Sequence, residues 1–265
     1  MLPYTTYLID LDGVVYRGNE LLPGAKEFVA WLEATHKKYL FLTNNSFATI
    51  AQILAKLERL GIAADVDHLM SASQAAIQNI ARAIPGGSVY VVGEQPLMDL
   101  VAQQGLRVAD VESEQADAVL VGLDRYFDYE KLTCAIRIVV AGALFVAINR
   151  DPLLPVVGGF LPGTGTLVAA IEAGSGVSPE VVGKPQPLLL QEAMEKLQSK
   201  PDETVMIGDG LDVDILAGQA AGTHTLLVLS GRNSREDAAT STIKPEHIYQ
   251  DLAAVVAEVT KGTTA

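Results

Sequence analysis

Short apolar runs alternate along the chain with longer stretches in which apolar positions recur every three or four residues. Tyr7-Leu-Ile-Asp-Leu, Tyr39-Leu-Phe-Leu, Val89-Tyr-Val-Val, Ala118-Val-Leu-Val, Leu144-Phe-Val-Ala-Ile, Val181-Val, Thr204-Val-Met-Ile and Thr225-Leu-Leu-Val-Leu read as strands. Gly24 to Thr35 reads as a helix with Phe28, Trp31 and Leu32 on its apolar face, and Ala48–Leu60 as one that Ser46 caps and Gly61 stops. Further helices are expected at Ser73–Ala83, Pro96–Gln103, Tyr129–Ala141, Thr166–Ala173 and Pro187–Leu197. This rhythm predicts an α/β fold with a largely parallel sheet. No repeat or low-complexity linker divides the chain into tandem halves, so one domain inserted within another suits the motif positions better.

Composition narrows the function classes. The 265 residues are 49% apolar and 19% charged, enough for a full-sized core, and the net charge is -13. Such a surface repels nucleic acid and anionic membranes, so no nucleic-acid or membrane partner is expected and a phosphorylated ligand needs a locally positive pocket. Cys134 is the one cysteine, which excludes an internal disulfide and a thiolate metal cluster. The N-terminus lacks a basic start and apolar stretch, and the longest apolar run, Ile138 to Ile148, is about half a membrane span. The expected location is the cytoplasm. His36, His68, His224 and His247 lie in separate elements without metal-ligand spacing.

Four short signals carry the chemistry. Asp10 and Asp12 lie two apart where a strand runs into Gly13, and residues so spaced on a strand point the same way. In parallel α/β sheets that carboxyl edge is where ligands bind, and two carboxylates so close need a cation or a shared proton. Thr43-Asn44-Asn45 follows another strand, where a hydroxyl and exposed N–H groups suit a phosphate oxygen, though turns use the same residues. Gly183-Lys184-Pro185 presents a single lysine, and Pro185 stands where a Walker loop requires Ser or Thr. Asp209, Asp212 and Asp214 follow a strand within six residues, as in a hard-cation site, without the spacing of an EF-hand.

In this order, Asp-Leu-Asp-Gly-Val-Val-Tyr-Arg-Gly, strand-Thr-Asn-Asn, Gly-Lys-Pro and Gly-Asp-x-x-x-x-Asp-Ile resemble the haloacid dehalogenase superfamily over nearly the whole chain. Tyr16-Arg17-Gly18, Thr43-Asn44-Asn45-Ser46 and Gly183-Lys184-Pro185 make the chain similar to the NagD-type, or p-nitrophenyl phosphatase-like, subfamily IIA. The resemblance implies a Rossmann-like parallel-sheet core with an inserted α/β cap of the C2 type. Some thirty residues separate Asp12 from Thr43 and roughly 140 separate Asn44 from Lys184, so the cap is expected at 79–178 and the core at 1–78 and 179–265.

The resemblance further implies a magnesium-dependent phosphomonoester hydrolase acting on a small phosphorylated metabolite. Asp10 would be the nucleophile, forming an aspartyl-phosphate, and Asp12 the general acid and base. Mg2+ would be held by the Asp10 carboxylate, the Asp12 carbonyl and the Asp209 carboxylate, with Asp214 supporting that shell. Thr43, Asn44 and Asn45 would bind the phosphoryl group and Lys184 neutralise it. Asn149 and Asp151 are candidate substrate contacts in the cap, with turn formation before Pro152 as the rival reading. Asp12 favours phosphoryl chemistry over C–halogen cleavage, since dehalogenases have no such acid at the plus-two position. Val213 and Gly210 depart from the residues common in the last motif. A non-enzymatic phosphate-ligand sensor and a phosphotransferase are the alternatives, and a homodimer through the cap is compatible with the resemblance.

Overall fold

A computed structural model of the chain describes residues 2–46, 48–110, 115–156 and 159–261. The extreme ends of the expected core, Met1 and residues 262–265, lie outside them. The chain divides into two compact units, Met1–Thr43 with Ile50–Met70 and Lys184–Ala265, and Asn44–Thr49 with Ser71–Gly183.

The first unit is built on a six-stranded sheet in the order His247–Tyr249, His224–Val228, Thr204–Gly208, Thr6–Asp10, Lys38–Thr43, Leu69–Ser71. The central strand, Thr6–Asp10, pairs in parallel with both neighbours, with Ile9 opposite Ile207 and Phe41, and Asp10 opposite Leu42. Tyr7, Leu8 and Ile9 are at most 1% exposed, because a parallel sheet is covered on both faces. The helix Ala25–Ala34 buries Phe28, Val29 and Leu32 and packs against the helix Leu252–Val259. Phe28 and Trp31 stack at 5.7 Å and Tyr7 meets both edge-on, so the lone tryptophan does pack with that helix's aromatic face.

The second unit has its own five-stranded parallel sheet, in the order Glu180–Val181, Leu144–Ala147, Ala118–Val121, Ser88–Val92, Arg107–Val108. The helices Tyr129–Val140 and Thr164–Ser175 close one core with it, in which Ile138, Ile171, Val119 and Phe145 meet and Cys134 is 6% exposed. Each fully buried aliphatic side chain there contributes ~1.5–3 kcal/mol. Asp128 caps the first of these helices by accepting from the Lys131 N–H at 2.8 Å. A two-stranded antiparallel ribbon, Leu153–Val156 with Gly159–Pro162, was not foreseen from the sequence, and the helix Thr164–Ser175 starts directly after it.

Two local expectations change. Helix Ala72–Ala83 belongs to the second unit, so the division falls at 70/71 rather than 78/79, and its later edge at 183/184 rather than 178/179. That helix packs on Gln95–Gln103, and Ser71 with Gln74 forms a capping box at its start. Ser46 does not cap the helix that follows it, which runs Ile50–Arg59. Its hydroxyl pairs with Thr164 Oγ1 at 3.1 Å, and Asn45 Oδ1 accepts from the Ala48 N–H at 2.8 Å. Among the described residues no helix is long and apolar enough to cross a membrane.

Candidate active site

The strand register sets the site. Because Ile9 lies opposite Ile207 and Asp10 opposite Leu42, the strands Thr6–Asp10, Lys38–Thr43 and Thr204–Gly208 end level with one another, and Asp10, Thr43 and Asp209 emerge along one carboxyl edge. Lys184 reaches that edge from the start of the third sequence segment of the unit. Its Nζ donates to Asp10 Oδ1 at 2.5 Å and to Asp214 Oδ1 at 2.6 Å, and its side chain is 1% exposed. Lys184 is therefore not a solvated surface lysine.

Asp214 is 2% exposed and sits in a single π-helical turn, Leu211–Ile215. Such turns recur at functional sites. Here the turn lets Asp214 Oδ2 accept from the Gly210 N–H at 3.0 Å while Oδ1 takes Lys184, so the side chain braces both the lysine and its own loop. Val213 and Gly210, the departures noted in this motif, leave both bonds in place.

Asp209 Oδ2 accepts from the Arg232 N–H at 2.7 Å, and the carboxylate is wedged between two glycines. A Cβ at Gly13 would lie 2.1 Å from Asp209 Oδ2 and one at Gly231 1.9 Å, and Gly13 has φ +87 as well. Ser230, Gly231 and Arg232 were not singled out in the sequence, since a backbone donor carries no side-chain signal. Arg17 adds a second tie to this loop by donating to the Ser230 carbonyl, and the Ser230 hydroxyl donates to the Gly13 carbonyl at 2.7 Å.

Carboxylate oxygens of Asp10, Asp209 and Asp214 all lie within 4.8 Å of one another, and within this cluster Lys184 offsets one of three negative charges. Burial raises the Asp10 pKa well above the ordinary carboxylate range, with Asp214 and Asp209 adding to it against the pull of Lys184. Burial, then Asp214, pushes Asp209 up to about 6. For Lys184, burial favours the neutral form but Asp10 and Asp214 outweigh it, so the ammonium is held. An all-oxygen donor set with surplus negative charge fits a hard divalent cation such as Mg2+ or Ca2+. The sequence named the Asp10 and Asp209 carboxylates with the Asp12 backbone carbonyl as ligands, and the carboxylates that lie together are those of Asp10, Asp209 and Asp214.

Asp12 stands beyond the strand, bridged to Tyr16 through the backbone. Loss of water around its carboxyl raises the pKa, against the opposing influence of Lys56, Lys184 and a hydrogen bond from Tyr16. Thr43 is 5% exposed at its strand end. The Asn44 carbonyl accepts from Asn149 Nδ2 at 2.9 Å, and Asn149 Oδ1 accepts from the Asp151 N–H at 3.1 Å. Asn149, 4% exposed, thus takes part in the turn before Pro152.

A parallel sheet that gathers buried carboxylates and a lysine at its carboxyl edge offers a site for a cation beside an anionic ligand. Residues 7–107 match the family model of haloacid dehalogenase-like hydrolases and residues 181–255 a second model for the same kind of hydrolase. The chain belongs to the haloacid dehalogenase-like hydrolase family. It is 36% identical over 261 residues to the acid sugar phosphatase of Staphylococcus saprophyticus, covering 98% of this chain and all of that one. The p-nitrophenyl phosphatase from Archaeoglobus fulgidus superposes with a TM-score of 0.90 at 32% identity, covering 96% of this chain and 99% of that one. NagD from E. coli K-12 does so with a TM-score of 0.87 at 33% identity, covering 95% and 98%. With these relatives the chain is a phosphatase of the NagD and p-nitrophenyl phosphatase group, acting on small phosphorylated substrates.

Proposed function

We propose that the protein is a magnesium-dependent phosphomonoesterase of the cytoplasm, with sugar phosphates as its first candidate substrates, working through an aspartyl-phosphate on Asp10. The relative named acid sugar phosphatase supports the substrate class. The second unit is the cap of this reading and carries substrate selection, and a homodimer through it belongs to the same proposal. The net charge of -13 argues against nucleic acid and membrane partners.

The observation that supports the mechanism best is the buried Lys184 ammonium, which touches Asp10 and Asp214 with Asp209 alongside. Asp10 attacks phosphorus, and Lys184 favours its ionised form against the burial that disfavours it. Asp12 protonates the leaving oxygen, then takes a proton from the water that cleaves the aspartyl-phosphate. Thr43 and the Asn44 N–H hold phosphoryl oxygens, and Asn45 sets the loop through its bond to Ala48. The Asp10 and Asp209 carboxylates with the Asp12 carbonyl would hold Mg2+, which when bound supplies charge stabilisation for phosphoryl transfer. Asp214 orients Lys184 and the Asp209 loop. Asn149 and Asp151 stay candidate substrate contacts, with the Asn149 amide also building the turn.

The test is phosphate release from p-nitrophenyl phosphate and a panel of small sugar phosphates, with magnesium and with EDTA. Wild type is expected to turn over with magnesium alone, and Asp10→Asn to lose ~10⁴-fold or more while keeping its fold. An Asp10→Asn protein with wild-type turnover would remove the nucleophile from this scheme.

A further inference from the structure

Tyr16 lies four residues after Asp12 in the first motif, and its surroundings give it a task that the scheme above leaves unassigned. The residue is 3% exposed. Its N–H donates to the Leu11 carbonyl at 3.2 Å and its carbonyl accepts from the Gly13 N–H at 2.8 Å, so the loop after the central strand fixes where the ring stands. Asp12 and Tyr16 are bridged through the backbone, and hydrogen bonding from the ring hydroxyl is among the influences that lower the Asp12 pKa. On the ring's face sits the Lys56 ammonium, 3.4 Å from the centroid. Lys56 comes from the helix Ile50–Arg59, whose Ile53 and Leu57 are buried, and it follows Ile53 by three residues on the same side. Burial lowers the Lys56 pKa and Asp12 pulls it back up, as expected for a cation drawn out of water toward that carboxylate.

We propose that Tyr16 and Lys56 are positioning residues for Asp12. The Tyr16 O–H donates to one Asp12 oxygen and leaves the other for the leaving-group oxygen of the substrate. The Lys56 ammonium on the ring face is attracted by the ring's quadrupole, holds the ring in place and makes the phenol a stronger donor. This inference rests on the reading of Asp12 as general acid. In that step an Asp10 oxygen bonds to phosphorus as the bond to the leaving oxygen breaks, and the Asp12 proton passes to that oxygen, while Tyr16 keeps its own proton. Faulty positioning of Asp12 therefore matters most when the leaving group is strongly basic.

The experiment measures kcat/KM for p-nitrophenyl phosphate, whose leaving group departs without a proton, and for glycerol phosphate, whose alkoxide needs one. Wild type, Tyr16→Phe, Lys56→Met, Lys56→Arg and Asp12→Asn are compared with magnesium present. Tyr16→Phe and Lys56→Met are expected to lose about ten-fold or more on glycerol phosphate beyond their loss on p-nitrophenyl phosphate, within the ~10²–10⁴-fold that general acid catalysis supplies. Lys56→Arg, which keeps a cation on the ring, is expected to recover most of that difference. Because the ratio of two substrates is read in one preparation, a partly unfolded variant does not move it. Equal losses on the two substrates in Tyr16→Phe, with Asp12→Asn discriminating between them, overturn the positioning role alone. Equal losses in Asp12→Asn itself would remove the general acid and this inference with it.

Discussion

The two units carry parallel sheets with acidic and basic residues in the loops at their strand ends, and they treat those charges in opposite ways. In the second unit two such acids each take one base. Glu94 takes Arg125 at 2.6 Å, and Asp124, whose side chain is 1% exposed, takes Lys131 at 2.8 Å while accepting from the Tyr126 N–H. In the first unit Asp10, Asp209 and Asp214 crowd within 4.8 Å around Lys184. Matched pairs hold loops in shape. A surplus of buried negative charge costs stability, and such perturbed groups cluster at functional sites. The contrast separates scaffold from chemistry although both units offer the same kinds of residue at the same kind of edge.

The largest effect expected from breaking this contrast comes at Lys184. Lys184→Met leaves Asp10 and Asp214 without their shared cation in a buried site, and loss of one partner from a buried ion pair costs ~3–5 kcal/mol. Denaturant unfolding monitored by circular dichroism should show this loss along with loss of phosphate release. A midpoint equal to wild type would mean that the cluster had no need of the charge.

A smaller effect follows from pH and cation. Asp209 has its folded pKa raised from 3.8 to about 6, so between these values the folded protein binds more proton than the unfolded one. Stability from this group is thus full below 3.8 and is lost as pH rises toward about 6. A divalent cation favours the ionised form and offsets the loss, so magnesium should raise the melting temperature more at pH 7.5 than at pH 5, by about 1–3 kcal/mol of stability. An equal rise at both pH values would place the cation elsewhere. Asp209→Asn should flatten the pH dependence of the metal-free protein.

The smallest effect is expected among the matched charges. Lys131→Met leaves the buried Asp124 carboxylate with its backbone donor and should cost ~1–3 kcal/mol. The exposed partner Arg125, with a side chain 61% exposed, should tolerate Arg125→Gln with no measurable change in midpoint. Phosphate release from p-nitrophenyl phosphate separates the units further, since Lys131→Met is expected to alter folding stability without the loss seen for Lys184→Met.

Much of this was legible from residue order. The period-two and period-three-to-four patterns predicted the strands and most helices, and Asp10, Asp12, Thr43, Lys184, Asp209 and Asp214 were picked out by type and by their place at strand ends. Less legible were features that depend on a backbone group or on a distant chain neighbour. The Asn149 amide donates to the Asn44 carbonyl 105 residues away, a bond that no local pattern shows. Ser46 fits a cap by spacing and pairs instead with Thr164. Lys56 carries no signal in the sequence, and only the structure sets its ammonium over the Tyr16 ring.

The sequence by itself determined the fold class, the alternation of layers and the inventory of reactive groups, because periodicity and residue type are local properties of the chain. Only the tertiary structure decided which of those groups share a site and how their charges balance. Lys184 and Asp10 stand 174 residues apart, and no local pattern encodes the 2.5 Å contact between them. That contact follows from the register of parallel strands, which aligns their ends, and from burial, which turns neighbouring carboxylates from solvated groups into a cluster that calls for positive charge.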